Sequence, residues 1–318
     1  MSDAKRNGRA ARLGAFRSVR TIASVRAAKT DIEATALRIL WPWQSGVLDP
    51  HGPIGAAERV ILLDATAIML AVVVPVIVAT LVFAWWFRAD NAKATYRPDW
   101  EFSGRVEVVV WSIPTLIVAF LGGIAWIGSH DLDPRAAIPS EIQPIDVQVV
   151  SLDWKWLFIY PALGVASVNR LVVPAGSPVR FALTSASVMN SFFVPELGSQ
   201  IYTMSGMTTH LHLLADRPGT YAGLSAQFSG DGFSDMRFEV AALDKSGFDD
   251  WVKAARSGGG KLDAESYARL ARPGVAAATA TYGDVAPRLF ETAALADPGA
   301  PATADAMSAM HAAPLAGR

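Results

Sequence analysis

The sequence has no cysteine and few charged residues for its length. Of 318 residues, 18% are charged, 52% are hydrophobic and ten are tryptophan. Without cysteine the chain cannot form a disulfide, a thiolate nucleophile, an iron–sulfur cluster, a covalently attached c-type haem or a thiolate copper site. Soluble domains average roughly 25% charged residues, so the deficit indicates that part of the chain lies in lipid. The formal net charge of −1 gives no sign of nucleic-acid binding.

Two long apolar runs predict membrane-spanning helices. Residues 60–87 contain a single ionisable group, Asp64, and residues 106–128 contain only Glu107. At about 1.5 Å per residue, each run is long enough to cross a hydrocarbon core of roughly 30 Å. Basic residues are concentrated in the connecting loop, and each outer flank has one: Arg88, Lys93, Arg97 and Arg105 in the loop, Arg59 and Arg135 outside. This asymmetry predicts a cytoplasmic loop and, in a bacterium, a periplasmic C-terminal part.

After Pro144 the pattern changes to short β-branched or aromatic runs that alternate with Gly, Pro, Ser and Asp turns. Seven strands in about 100 residues predict a β-sandwich. The predicted strands are 145–150, 154–160, 168–174, 179–185, 209–215, 220–227 and 236–242.

The whole chain is therefore predicted to combine membrane α structure with an all-β domain. The N-terminus contains nine Lys or Arg within residues 1–40 and no apolar region of a secretory signal. Either this basic stretch is poorly ordered and crosses the membrane as a tail, or the true start of the protein is elsewhere. The predicted segments are a basic N-terminal extension mostly outside the fold (1–59), a two-helix transmembrane hairpin (60–128), an exported β-domain (129–243), a short helical C-terminal arm (244–290) and a disordered tail (291–318).

Five strings carry a specific family resemblance. They are LDPHGPIG (48–55), VEVVVWSIP (106–114), SLDWKWLFIYP (151–161), SVMNSFFVPELGSQIYTMSGM (187–207) and GTYAGLSAQFSGDGFSDMRFEV (219–240). In this order they resemble subunit II of a haem–copper respiratory oxidase, and within that superfamily the cytochrome bo-type ubiquinol oxidases. The resemblance covers about residues 46–290 and implies a cupredoxin fold for the sandwich.

The resemblance also implies which residues stand at a former copper site. Copper-bearing relatives hold two copper ions in a C-x-E-x-C-x-x-x-H-x-x-M loop, with a further His upstream. In this sequence the corresponding positions are Ser225, Gln227, Ser229, Phe233 and Met236 in the loop, and Asn190 upstream. Serine is a poor soft ligand and a phenyl ring cannot coordinate, so no metal is expected here.

For function, the resemblance implies a haem-free structural subunit of a proton-pumping complex that oxidises ubiquinol and reduces dioxygen to water. The haems, the copper and the quinol site are then expected in a partner, subunit I, in the bacterial inner membrane. This chain itself is expected to bind no cofactor. The competing hypothesis is a two-span membrane receptor or assembly factor that uses a copper-free cupredoxin as a binding module.

Glu107 matches the family's glutamate at the cytoplasmic mouth of a proton-uptake channel, and it is the one functional candidate in the chain. The alternative is an interfacial carboxylate that reaches water or pairs with Arg105. No catalytic residue is expected in this chain.

Other conspicuous residues have simpler interpretations. Asp64 is expected to cap or hydrogen-bond at the headgroup level. His210 and His212 share one face of a strand, and with no third ligand nearby in sequence a solvated face is favoured over a metal site. Trp154 and Trp156 are expected to pack in the sandwich core or against a partner subunit.

Overall fold

The computed structural model describes residues 46–95, 97–274 and 279–295. Residues 1–49 and 50–318 form two separate units. The described part of the first is a short 3-10 turn, Gly46–Leu48, after which the Asp49 N–H donates to the Gly46 carbonyl at 3.1 Å. Most of the predicted basic extension, up to residue 45, and the predicted tail from residue 296 lie outside the described residues.

Two long apolar helices open the second unit, as predicted. Helix α1 is Pro53–Trp86 and helix α2 is Gly104–Asp131, and no residue in the most apolar stretch of either helix is buried in the isolated chain. Both helices are longer than the apolar runs that predicted them. Helix α1 gains seven residues at its start because Pro53, with a preset φ and no N–H to satisfy, is suited to the first helical position.

The first turn of α1 is attached to the β-domain by backbone hydrogen bonds. The Gly55 N–H donates to the Leu197 carbonyl at 3.1 Å, and the His51 N–H donates to the Glu196 carbonyl at 2.6 Å. A Cβ on Gly52 would overlap the Leu214 carbonyl oxygen, so only glycine permits this close approach. The start of the membrane helix is thereby fixed to the sandwich.

The β-domain is a sandwich of two sheets, also as predicted. The larger sheet has the order β11-β12-β3-β2-β1-β5-β8 and the smaller has the order β4-β10-β9-β6-β7. The strands are β1 Ile145–Leu152, β2 Lys155–Tyr160, β3 Val165–Val168, β4 Arg170–Pro174, β5 Val179–Ser185, β6 Asn190–Phe193, β7 Ile201–Thr203, β8 Thr209–Leu213, β9 Gly219–Ser225, β10 Arg237–Leu243, β11 Gly260–Leu262 and β12 Ala280–Val285.

The described residues form twelve strands, whereas seven were predicted. The predicted strand 168–174 is divided because Asn169 adopts a left-handed φ of 55°, and its side-chain oxygen accepts from the Trp156 N–H at 2.8 Å. Strands β6, β7, β11 and β12 were not predicted, and of β3 only Val168 was. The first three of these have only three or four residues, too few for a period of two to stand out.

An aromatic cluster fills the space between the sheets. Phe192 stacks on Phe238 with ring centroids 5.0 Å apart, and the edge of Trp156 meets Phe192 at 5.5 Å. Phe158 and Phe181 complete the cluster, and all five side chains are buried. Each such ring contributes about 1.5–3 kcal/mol by leaving water.

The described part of the C-terminal arm contains three helices: α3 Lys245–Gly258, α4 Ala264–Leu270 and α5 Leu289–Ala294. Helices α4 and α5 cover the outer face of the larger sheet, whereas Phe248 and Val252 of α3 pack into the core between the sheets. Tyr267 and Phe290 form a second apolar core with Leu157 and Ile159 of β2. Strand β2 is therefore buried on both faces, which explains its continuous apolar run.

Two boundaries in this region differ from the prediction. The arm is not purely helical, because β11 and β12 extend the larger sheet beside β3, with Tyr282 opposite Ala166. The last helix runs to Ala294, into the predicted disordered tail, because Thr292 and Ala293 are buried against the sheet.

Candidate functional site

The predicted site lies at the end of the smaller sheet, where the loop 226–236 joins β9 to β10. Asn190 begins β6 and Ser225 ends β9, and both side chains are buried. The Ser225 hydroxyl donates to the Asn190 side-chain oxygen at 3.3 Å and lies 3.2 Å from the Gln227 carbonyl oxygen. The fold thus brings together two of the residues that the resemblance assigned to the copper positions.

A second pair lies in the same loop. The Ser229 hydroxyl is 3.9 Å from the sulfur of Met236, a long contact with a weak acceptor. Met236 is fully buried, and its carbonyl accepts from the Ser225 N–H at 3.0 Å. The loop therefore closes on itself through Met236.

The remaining two predicted positions lie at the rim of the loop. Phe233 opens a short 3-10 turn, Phe233–Asp235, and its ring meets the exposed Phe228 ring edge-on at 5.6 Å. Gln227 is half-buried. Phe233 thus makes an aromatic contact at the position where, by the resemblance, the copper-bearing relatives have a histidine.

Sequence reasoning missed a set of buried polar side chains behind these residues. The Ser151 hydroxyl is 2.8 Å from the Thr203 hydroxyl, and the Asn190 amide donates to the Val188 carbonyl at 3.1 Å. The Ser191 hydroxyl donates to the Gln200 side-chain oxygen at 3.1 Å. No sequence signal identifies this network, because strand pairing alone brings β1, β6 and β7 to one place.

The donor atoms of the site do not fit a copper centre. They are hydroxyl and amide oxygens with one thioether, whereas soft copper sites use thiolate and imidazole. These oxygens already hydrogen-bond to one another or to backbone groups. Within the described ranges, no three His, Asp or Glu side chains are grouped so as to hold a metal ion.

Trp154 packs on the loop. Its φ of 62° lies in the left-handed region, and its indole N–H donates to the Ser229 carbonyl at 3.0 Å. A Cβ on Gly232 would overlap the Trp154 ring, so the ring lies directly on the glycine backbone. Trp156, two residues on, is fully buried in the aromatic cluster. Both tryptophans pack within the domain, one of the two arrangements expected from sequence.

Glu107 lies in the first turn of α2 and is exposed in the isolated chain. Its carboxylate accepts from the indole N–H of Trp111, one turn further on, at 3.2 Å. The alternative ion pair with Arg105 is not formed within the part of the chain that the structure describes. Trp111 was not singled out from the sequence, although its spacing of four residues is the signal that places two side chains on one helix face.

The other candidates occupy unremarkable positions. Asp64 is exposed, about three turns inside α1 and so beyond the helix cap. His210 is exposed, whereas His212 is half-buried. The His212 ring nitrogen Nδ1 is 3.3 Å from the Pro134 carbonyl oxygen, and the His212 backbone N–H donates to the same carbonyl at 3.0 Å. The expected solvated face therefore holds for His210, while His212 anchors the linker from α2.

Two apolar helices followed by a two-sheet sandwich, with Ser225, Ser229 and Met236 at the β9–β10 loop, form the architecture that the resemblance to subunit II of haem–copper oxidases implied. The sequence profile of the cytochrome c oxidase subunit II periplasmic domain matches residues 163–243. The periplasmic domain of subunit II of the Bradyrhizobium japonicum cytochrome oxidase superimposes with a TM-score of 0.36 at 21% identity, covering 38% of this chain and 98% of that domain.

Full-length relatives specify the branch. The chain is 49% identical over 244 residues to the cytochrome bo(3) ubiquinol oxidase subunit 2 of Pseudomonas aeruginosa, covering 77% of this chain and 74% of the relative. It is 48% identical over 229 residues to the ubiquinol oxidase subunit 2 of Acetobacter aceti, covering 71% and 75%. The chain belongs to the family of bo(3)-type ubiquinol oxidase subunits 2, and so is a membrane-anchored component of an oxidoreductase complex.

Proposed function

We propose that this chain is the haem-free and copper-free subunit of a proton-pumping ubiquinol oxidase in a bacterial inner membrane. Its sandwich faces the periplasm, and the haems, copper and quinol site belong to subunit I. The observation that carries the proposal is the hydrogen-bonded Asn190–Ser225 pair at the position where copper-bearing relatives hold their metal. A subunit without an electron-entry centre suits a lipid-soluble donor, because a quinol reaches subunit I through the membrane and needs no exported relay.

Metal analysis of the intact complex tests the copper-free state. Copper and haem are quantified together in the complex purified in mild detergent, for the native protein and for Ser229→Ala. We expect the same ratio of copper to haem in both, because Ser229 binds none. A ratio that falls by two copper ions in the variant would contradict the proposal.

Association with a haem protein tests the subunit role. Affinity purification of this chain in mild detergent is followed by a reduced-minus-oxidised haem spectrum. Stoichiometric haem and a large polytopic partner are expected. A chain that purifies without either would instead favour the two-span receptor or assembly factor.

The absence of cysteine makes the proposed orientation easy to test. Single-cysteine variants Lys93→Cys in the loop and Lys261→Cys in the exposed arm are labelled in intact cells with a membrane-impermeant maleimide. Labelling is expected at position 261 only. Labelling at position 93 in sealed cells would place the loop outside and reverse the topology.

We further propose that Glu107 collects protons at the cytoplasmic end of α2 for uptake into subunit I. Its place in the first turn of a membrane helix lies near the lipid–water interface, where a carboxylate is affordable. The Trp111 hydrogen bond holds the carboxylate on one helix face.

Turnover and proton pumping of the assembled oxidase test this role. Glu107→Gln removes the ionisable group, so a severalfold loss of turnover is expected, with partial recovery in Glu107→Asp. Glu101→Gln, an exposed carboxylate outside the helix, is the matched control and should keep full activity. Full turnover and pumping in Glu107→Gln would exclude the role.

A further inference from the structure

A pocket of about 520 Å³ opens where helix α1 ends and the connecting loop begins. Its lining combines two guanidinium groups, two small polar side chains and two aromatic rings. These are Arg88, Arg97, Asn91, Thr95, Phe87 and Trp100. Among the described residues no carboxylate lines the pocket, although the loop as a whole also contains Asp90, Asp99 and Glu101.

Contacts with the end of α1 hold one of the two guanidinium groups in place. Arg88 donates one N–H to the Trp85 carbonyl at 2.9 Å, and its Cζ lies 5.2 Å from the centroid of the Trp85 ring. A guanidinium has five N–H donors, so this contact leaves four for a ligand. Asn91 donates to the Trp86 carbonyl at 2.5 Å, which caps a second helix carbonyl and reduces the negative charge at the pocket floor.

The second guanidinium belongs to Arg97, in the connecting loop. Arg97 forms no ion pair with any residue in the ranges that the structure describes. Two positive charges with no acidic neighbour in the lining create a site suited to a compact anion, and guanidinium groups bind phosphate oxygens in pairs. The charge of the pocket therefore indicates a phosphate group as the ligand.

The apolar side of the pocket indicates where that phosphate comes from. Phe87 is 59% exposed and Trp100 is 60% exposed. Phe87 directly follows the tryptophans Trp85 and Trp86 that end the membrane helix. Aromatic side chains at a helix end mark the headgroup level of a bilayer. A ligand here has its charged end at the arginines and apolar chains along exposed rings.

We propose that this pocket binds the phosphate headgroup of an anionic phospholipid, held between Arg88 and Arg97 with its acyl chains along α1. A basic pocket at the cytoplasmic end of membrane helices is a recognised form of anionic-lipid site. The proposal extends the subunit's role to lipid recognition. It depends on the proposed orientation only for the leaflet that supplies the lipid.

The test uses the intact complex in nanodiscs of phosphatidylcholine with graded phosphatidylglycerol, with spin-labelled phosphatidylglycerol as the probe. The double variant Arg88→Gln/Arg97→Gln is compared with Lys93→Gln/Arg105→Gln. The control pair removes the same charge, at one position in the loop and one in the first turn of α2, and neither residue lines the pocket. Removal of each lining arginine should weaken lipid binding roughly fivefold, and removal of both roughly 30-fold, while the control pair changes it less than about twofold.

Three results would overturn the proposal. Equal losses in both pairs would mean attraction to surface charge without a site, and no loss in either would mean that the pocket is covered by protein in the complex. Displacement of the probe by inorganic phosphate as effectively as by phosphatidylglycerol would mean a site for free phosphate. Haem content is measured on the same samples, so failure to assemble an oxidase is distinguished from failure to bind lipid.

Discussion

The hydrogen bond between Asn190 and Ser225 is expected to stabilise the domain, and a double-mutant cycle measures by how much. Asn190→Ala removes bonds of 3.1 Å and 3.3 Å and leaves the Ser225 hydroxyl with one acceptor fewer. Each lost bond costs about 1 kcal/mol, and a stranded buried group adds about 1–3 kcal/mol. We therefore expect a loss of about 3–5 kcal/mol for Asn190→Ala. For Ser225→Ala, which removes the 3.3 Å bond and leaves the buried Asn190 side-chain oxygen without its donor, we expect about 2–4 kcal/mol.

Because the two side chains share one bond, their effects should not add. The coupling energy is expected at about 1 kcal/mol. Urea unfolding of the full chain in detergent, followed by tryptophan fluorescence, supplies the free energies, since Trp154 lies on the same loop. Ser234→Ala, an exposed hydroxyl in that loop, is the control and should change stability by less than about 0.5 kcal/mol.

The result that refutes the reasoning is additivity with small single effects. Suppose that Asn190→Ala and Ser225→Ala each lower the free energy of unfolding by less than about 0.5 kcal/mol, and that the two losses add up to the loss in the double variant. The site around Asn190 and Ser225 is then not stabilised by its hydrogen bonds. Stability of the loop would then come from Trp154 and Met236 alone.

Two further predictions concern packing and ionisation. Gly232→Ala places a methyl group against the Trp154 ring, so it should lower the free energy of unfolding in urea by about 1–3 kcal/mol and shift the tryptophan emission. The control is Gly258→Ala, which has open space around the new methyl group and should change neither. Equal stability of the two variants would show that the Trp154 ring moves aside freely. The buried Tyr267 hydroxyl has no hydrogen-bond partner among the described residues, and burial raises the pKa of its phenol. The phenol of Tyr267 stays protonated in the native state at pH values where it ionises in the unfolded chain, so stability should fall above about pH 10. Tyr267→Phe should leave the free energy of unfolding at pH 7 almost unchanged and should lessen that alkaline fall. An unchanged alkaline slope in the variant would contradict this explanation.

The sequence predicted the elements with strong periodicity and missed those that depend on distant partners. Two apolar runs identified both membrane helices, and period-two runs identified the main strands of the sandwich. Strands β7 and β11 were missed because three residues carry no periodicity, and the break at Asn169 depends on a bond to Trp156 across a hairpin. The burial of α5 depends on the outer face of β2, which no local pattern reveals.

The predicted site shows the same division. The family resemblance selected Ser225, Ser229 and Met236, and the structure places them at one loop. The sequence could not show that Ser151 and Thr203 lie behind these residues, nor that Phe233 faces Phe228 at the rim of the loop.

Hydropathy and residue type are local properties, so the sequence alone predicted the two apolar helices Pro53–Trp86 and Gly104–Asp131 and showed that no thiolate is present to bind copper. What lies at the positions that the resemblance assigns to copper depends on the tertiary structure. Strands β1, β6, β7 and β9 bring the hydroxyl and amide groups of Ser151, Asn190 and Ser225 together in the interior. Buried polar groups must be paired, and their partners are more than 30 residues apart along the chain.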